Sequence, residues 1–203
     1  MKKFDQIFLY IIYAPIFPIL LFLSFWWSSL LIIKDTRIFI IALLGLLIGL
    51  IIDKIKWKKW QEIGFKQKTL IMVLIYLFYS FGFFGFFMGV PIFNVFLGIF
   101  AGIYAVRKSI TEKKDRNASK KILKKVAWFC VSILFVVCLG SAYFALNDPF
   151  TAGNLEGMLQ LNFEITNYMI CGIIALGGLV LLISQYLIVY LSGIWTLKHF
   201  NEK

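Results

Sequence analysis

Residues Ile7 to Ile33 read IFLYIIYAPIFPILLFLSFWWSSLLII, 27 positions without a charged side chain. A helix crosses the hydrocarbon core of a bilayer in about 20 residues, so this run is long enough to span it and to tilt or bend as well. It follows Met1-Lys2-Lys3, as the apolar part of a secretory signal would. The run is too long for that role, passes through Phe25-Trp26-Trp27 and offers no small-residue cleavage site. It reads as a retained signal anchor. Pro15 and Pro18 each remove a backbone donor and crowd the preceding turn, which gives the helix a place to bend.

Five more apolar stretches follow, near 37–52, 69–88, 92–106, 126–146 and 168–197. Only 15% of the residues are charged against the quarter usual in soluble domains, which places the whole chain in the membrane class. The expected fold is all-α: one integral membrane domain of six transmembrane helices arranged as three consecutive hairpins. Charge sets the expected orientation. When the hydrophilic segments are dealt alternately to two sides, one side receives 19 of the 21 Lys and Arg residues, and only Lys34 and Arg37 fall on the other. The basic side should be cytoplasmic, with both termini there and the protein multi-pass in a cytoplasmic (inner) membrane. The net charge of +11 is explained by this flanking pattern and by contact with anionic headgroups, so no nucleic acid is expected as a partner. Trp57 and Trp60, three apart among Lys54, Lys56, Lys58 and Lys59, suggest that the inner segment 53–68 lies in the headgroup layer.

The spans that run from outside to inside end alike: Gly49-Leu50 before Asp53-Lys54, Gly102-Ile103 before Arg107, and Gly193-Ile194 before Lys198. A threefold hairpin repeat of one orientation would produce this, as would the abundance of Gly and aliphatic residues in membrane helices. Gly45 and Gly49, Gly85 and Gly89, and Gly98 and Gly102 form Gly-x-x-x-Gly pairs, the spacing at which helix backbones approach closely.

Catalytic signatures are missing. The chain has no Gly-x-Ser-x-Gly elbow, no His-Glu-x-x-His zinc signature, no phosphate-binding loop and no Cys-x-x-Cys, and the span interiors hold no ionisable side chain by these boundaries. The chain is therefore read as not an enzyme, with no cofactor and no metal. Cys130, Cys138 and Cys171 lie in apolar stretches, and His199 sits beside Lys198 at a span end. Scattered serines, among them Ser24, Ser80 and Ser132, suit bonds back to their own helix. Asn94, just after the Pro91 turn, and Gln185, within the last span, are different, because an amide in hydrocarbon must find a partner.

Segment 147–167, NDPFTAGNLEGMLQLNFEITN, has no Lys or Arg and three carboxylates, Asp148, Glu156 and Glu164. Residues 159–166 alternate apolar and polar like a strand, while Leu155, Met158, Leu159 and Asn162 would align on a helix. Either form needs cover for its apolar side. The expected ligand site gathers Pro91, Asn94, Glu156, Glu164 and Gln185 beneath this segment near the outer leaflet, suited to a cationic or hydrogen-bond-rich solute. The first functional expectation is accordingly a small membrane transport or solute-binding subunit. In size, helix count and basic inner loops the chain resembles the substrate-binding subunits of energy-coupling-factor transporters, which implies dependence on partner membrane subunits and carries over no residues. The rival expectation is a non-catalytic scaffold or assembly protein binding partner helices or anionic lipid.

Overall fold

The computed structural model describes residues 3–32, 37–87 and 89–200, with Leu159 described by its main chain alone. Lys34, Asp35, Met88 and the terminal residues 1–2 and 201–203, which enter the span and orientation readings above, lie outside the described residues. All regular structure among the described residues is helical, and six helical segments are long and apolar enough to cross a membrane. The protein is a multi-pass membrane protein by these helices. Its contacts divide it into two compact units, Met1–Gln67 and Lys68–Lys203.

The first unit holds α1 (Lys3–Tyr13), α2 (Ile16–Leu30) and α3 (Arg37–Ile63). The α1/α2 break falls at Ala14-Pro15, where the prolines deny the helix two of its amide bonds. Helix α3 runs antiparallel against both pieces. Gly45 faces Leu21 and Phe25, and Gly49 faces Phe17 and Pro18, so closely that a Cβ at either glycine would overlap α2. Below them the contact becomes aromatic: Tyr10 meets Trp57 with ring centroids 5.1 Å apart, Tyr13 meets Trp60 at 5.0 Å, and Phe17 stacks on Trp60 at 5.8 Å.

This corrects the reading of the inner segment 53–68. Asp53 to Ile63 is not a separate helix in the headgroup layer but the continuation of α3, followed by the short 3₁₀ turn Gly64–Lys66. No Gly or Pro interrupts Asp53 to Ile63. The shared face of Trp57 and Trp60 meets Tyr10, Tyr13 and Phe17 of α1 and α2, ring pairs that add to the buried area of the contact. The basic segment 107–125 between the fourth and fifth apolar stretches is also mostly helix, since α6 begins at Arg116 and only residues 112–115 separate it from α5.

The second unit holds α4 (Thr69–Phe86), a 3₁₀ helix (Pro91–Phe96) that runs directly into α5 (Leu97–Thr111), α6 (Arg116–Asn147), α7 (Thr151–Leu159) and α8 (Asn167–Phe200). Helix α5 is its centre, with Leu97, Gly98, Gly102 through Val106 and Ser109 all buried. The packed core joins Val106 of α5 to Leu123, Ala127 and Cys130 of α6 and to Val189 and Leu197 of α8. Gly102 lies against Val189, Ser192 and Gly193 of α8, and Gly193 in turn lies against Leu123 of α6. The basic ends gather at one end of this unit: Lys108 Nζ donates to Thr69 Oγ1 at 3.1 Å, and the Arg107 guanidinium sits 4.4 Å over the Phe200 ring. Large apolar side chains that remain exposed along α4, α6 and α8, such as Leu74, Phe81, Trp128, Phe135, Leu179 and Leu191, present the surface a bilayer covers.

Candidate functional site

The polar centre of the second unit is a ladder on one face of α4. Tyr76 and Ser80 are one turn apart on that helix, and each meets an amide from a different neighbour. Asn94 Nδ2 donates to the Ser80 carbonyl at 3.1 Å and to Ser80 Oγ at 3.0 Å, while Gln185 Nε2 donates to Tyr76 Oη at 3.1 Å. The Cys130 thiol of α6 lies within hydrogen-bonding reach of both Tyr76 and Gln185, so α4, α6 and α8 meet at one polar point. Asn94 and Gln185 are fully buried. Their amide oxygens, Asn94 Oδ1 and Gln185 Oε1, are buried too, and neither has a hydrogen-bond partner among the described residues.

Local sequence explains the placement. Gly89, with φ +82°, ends α4 in the left-handed conformation that favours glycine, and its amide donates to the Phe84 carbonyl at 2.7 Å. Pro91 opens the following 3₁₀ helix, where its missing donor costs nothing. Three residues on, Asn94 points back at Ser80. Gly98, one turn further, has no side chain, and a Cβ there would come within 3.0 Å of Gln185 Nε2 and 2.9 Å of Val189 Cγ2. Gln185 reaches the ladder through this gap.

Glu156 and Glu164 belong to a second feature. Segment 147–167 forms α7, then a left-handed turn at Gln160 (φ 51°), then an irregular return to α8 with bends at Asn162 and Phe163. The helix stops at Leu159, short of Asn162, and no strand forms over 160–166 among the described residues, so neither expected form covers the second half. Glu156 holds the hook together. Its carboxylate accepts from the Ile165 amide, and its main-chain carbonyl accepts from Gln160 and, at 3.0 Å, from Leu161. Ile165 is buried and Glu164 is exposed. Beside the base of the hook lies a recess of about 200 Å³ lined by Ala145 to Pro149, Ala152, Asn167 and Ile170.

The structure thus brings Asn94 and Gln185 to one face of α4, places Pro91 at the start of the turn that carries Asn94, and puts Glu156 in the hook's own hydrogen bonding. None of these residues lines the recess. Of the glycine pairs, Gly45 with Gly49 and Gly98 with Gly102 lie at close helix contacts. A Cβ at Gly85 would meet nothing within 4 Å among the described residues, and Gly89 serves the turn. Tyr76 and Cys130 escape a reading that looks for polar residues, because each passes as an apolar core residue; the four-residue spacing of Tyr76 and Ser80 was their signal. Asp53 also escapes it. Assigned to the end of a span, it is buried on α3 with neither carboxylate oxygen hydrogen-bonded, and Lys56 is the cation that acts on it. Among the described residues no three His, Cys, Asp or Glu side chains gather as a metal site would need.

No protein-family model matches this chain, and no curated protein or solved structure is significantly similar to it.

Proposed function

We propose that this chain is a non-catalytic membrane scaffold or assembly subunit that works through helix association in the bilayer, with its basic, cytoplasmic end meeting anionic headgroups or another membrane subunit. One observation carries this reading: both amides of the spans are committed to α4, Asn94 to Ser80 and Gln185 to Tyr76. Polar groups that hold helices in register are what a rigid scaffold needs from them. The cations Lys121, Lys124 and Lys125 are exposed on the first turns of α6, one turn before the exposed Trp128, and supply a face for an anionic partner. A photoreactive benzoylphenylalanine at position 128 should give a discrete protein adduct in native membranes, lost when Lys121, Lys124 and Lys125 are changed to Glu. Adducts with lipid alone would remove the subunit partner.

A second reading, a small solute-binding or transport subunit, is favoured by the buried oxygens of Asn94 and Gln185, which have no hydrogen-bond partner among the described residues. It predicts that some small polar solute raises the melting temperature of the purified protein in a concentration-dependent way, and that Asn94→Ala abolishes the rise. The scaffold reading predicts no shift across amino acids, polyamines, sugars and vitamins.

A further inference from the structure

The hook between α6 and α8 presents a face that its charges have left. On α7 the exposed positions are Gly153, Asn154, Gly157 and Met158, following the exposed Phe150; none is charged. The helix's one carboxylate, Glu156, is turned to the Ile165 amide. The segment as a whole has no Lys or Arg. Large apolar side chains stand out from it: Phe150 is 71% exposed, Met158 82% and Phe163 54%. Such side chains on a hook stapled by its own main chain are not loosely folded core. They are held in place for a surface.

Helix length says which surface is near. From Lys125, the last cation of α6, to Asn147, where that helix ends, there are 22 steps without a charge, or about 33 Å of helix at 1.5 Å per residue. The hydrocarbon core is about 30 Å thick. With Lys125 at one boundary, Asn147 reaches the other, and the hook leaves α6 where acyl chains give way to headgroups. The apolar surface is continuous across this point. Tyr143, Phe144 and Leu146 are exposed on the last turns of α6, and Tyr168, 90% exposed, stands on the first turn of α8.

We propose that the hook is an interfacial anchor, whose Phe150, Met158 and Phe163 insert at the boundary of headgroups and acyl chains in the outer leaflet. Lipid is the favoured occupant because the exposed face of α7 carries no charge and adjoins the apolar span surface, while the exposed carboxylates Asp148 and Glu164 flank it where headgroups and water begin. Aromatic side chains at such a boundary are the common device of membrane proteins. With Asp148 and Glu164 exposed and no cation in the segment, the surface it suits is zwitterionic rather than anionic.

Depth-dependent quenching tests this. In a background with Cys138 and Cys171 replaced and the fully buried Cys130 retained, an environment-sensitive nitrobenzoxadiazole label is placed on Met158→Cys or Phe163→Cys, with Asn117→Cys at the basic end as the water-exposed reference. The full chain is reconstituted in phosphatidylcholine vesicles with iodide equilibrated across the membrane. Labels at 158 and 163 should be quenched by lipid carrying a doxyl group near the headgroup more than by a deep one, and by iodide several-fold less than at 117. Iodide quenching equal to that at 117 would place the hook in water and overturn the proposal. Protection from iodide without quenching by doxyl lipid would mean that protein covers the face, and would overturn it as well. Glu156→Ala should reduce the lipid quenching by releasing the return segment, while Glu156→Gln, which keeps an acceptor for the Ile165 amide, should preserve it. If Glu156→Ala does not fold, the two labels in the Glu156 background still decide.

Discussion

Gln185 sits where three helices meet, and its replacement separates a structural amide from a merely tolerated one. Changing it to Leu leaves the Tyr76 hydroxyl with only the Cys130 thiol beside it; changing Tyr76 to Phe leaves the amide the same weak partner. Interhelical hydrogen bonds in membranes contribute about 0.6 kcal/mol on average and up to about 1.7. A double-mutant cycle of Gln185→Leu and Tyr76→Phe, read by unfolding in detergent, should therefore give a coupling of roughly 0.5–1.5 kcal/mol. Strict additivity would mean that the bond contributes nothing. The glycines give a sharper contrast. At Gly102 even a methyl group meets the Ser192 hydroxyl and the Val189 carbonyl, so Gly102→Leu should destabilise by about 1–3 kcal/mol or more. Gly85→Ala, with nothing within 4 Å among the described residues, should be neutral or stabilise slightly, by about 0.5–1 kcal/mol, through helix propensity alone. Sequence spacing makes these two glycines look equivalent. What separates them is which face of the helix a neighbour covers, and that depends on side chains far along the chain.

Helices were more legible than their partners. The six apolar runs, the weak point at Pro15 and the turn at Gly89 all follow from local chemistry, since hydropathy, a missing donor and a positive φ act within a few residues. Trp57 and Trp60 show where local reasoning stops. Their spacing fixes a common face, yet it cannot say whether that face meets headgroups or Tyr10, Tyr13 and Phe17. The two possibilities differ in outcome. A tryptophan stacked on Tyr13 and Phe17 should cost about 1–3 kcal/mol when truncated, because ring contacts and buried area are both lost. One that only anchors the helix in headgroups should cost little in detergent. Melting of Trp60→Ala beside Trp27→Ala, whose ring is 68% exposed, measures the difference. The expected ligand residues divided for a related reason. Asn94 and Gln185 were recognisable as amides needing partners, whereas Glu156 was spent on an amide nine residues away, a long-range bond with no sequence signature.

On the scale of the whole chain, charge carries information that helix packing does not. Within the second unit the cations of 107–125 and Lys198 collect at the ends where α4 starts and where α5 and α8 finish, as the Lys108–Thr69 and Arg107–Phe200 contacts require. The hook, free of Lys and Arg, closes the ends of α6 and α8 opposite to that one. A helical fold of this kind could be inserted either way up; the 19-to-2 division of basic residues is what should decide it, because cations resist translocation. Single cysteines at Lys58 and Lys120 in an otherwise cysteine-free variant should then be shielded from an impermeant thiol reagent in intact cells and react only after the membrane is opened. One at Glu164, an exposed charged position of the hook, should react from outside. The two units are tested separately by this choice, since Lys58 belongs to the first and Lys120 to the second. Labelling of position 120 from outside would invert the second unit and move its hook to the inner leaflet. Labelling of position 58 from outside would invert the first unit.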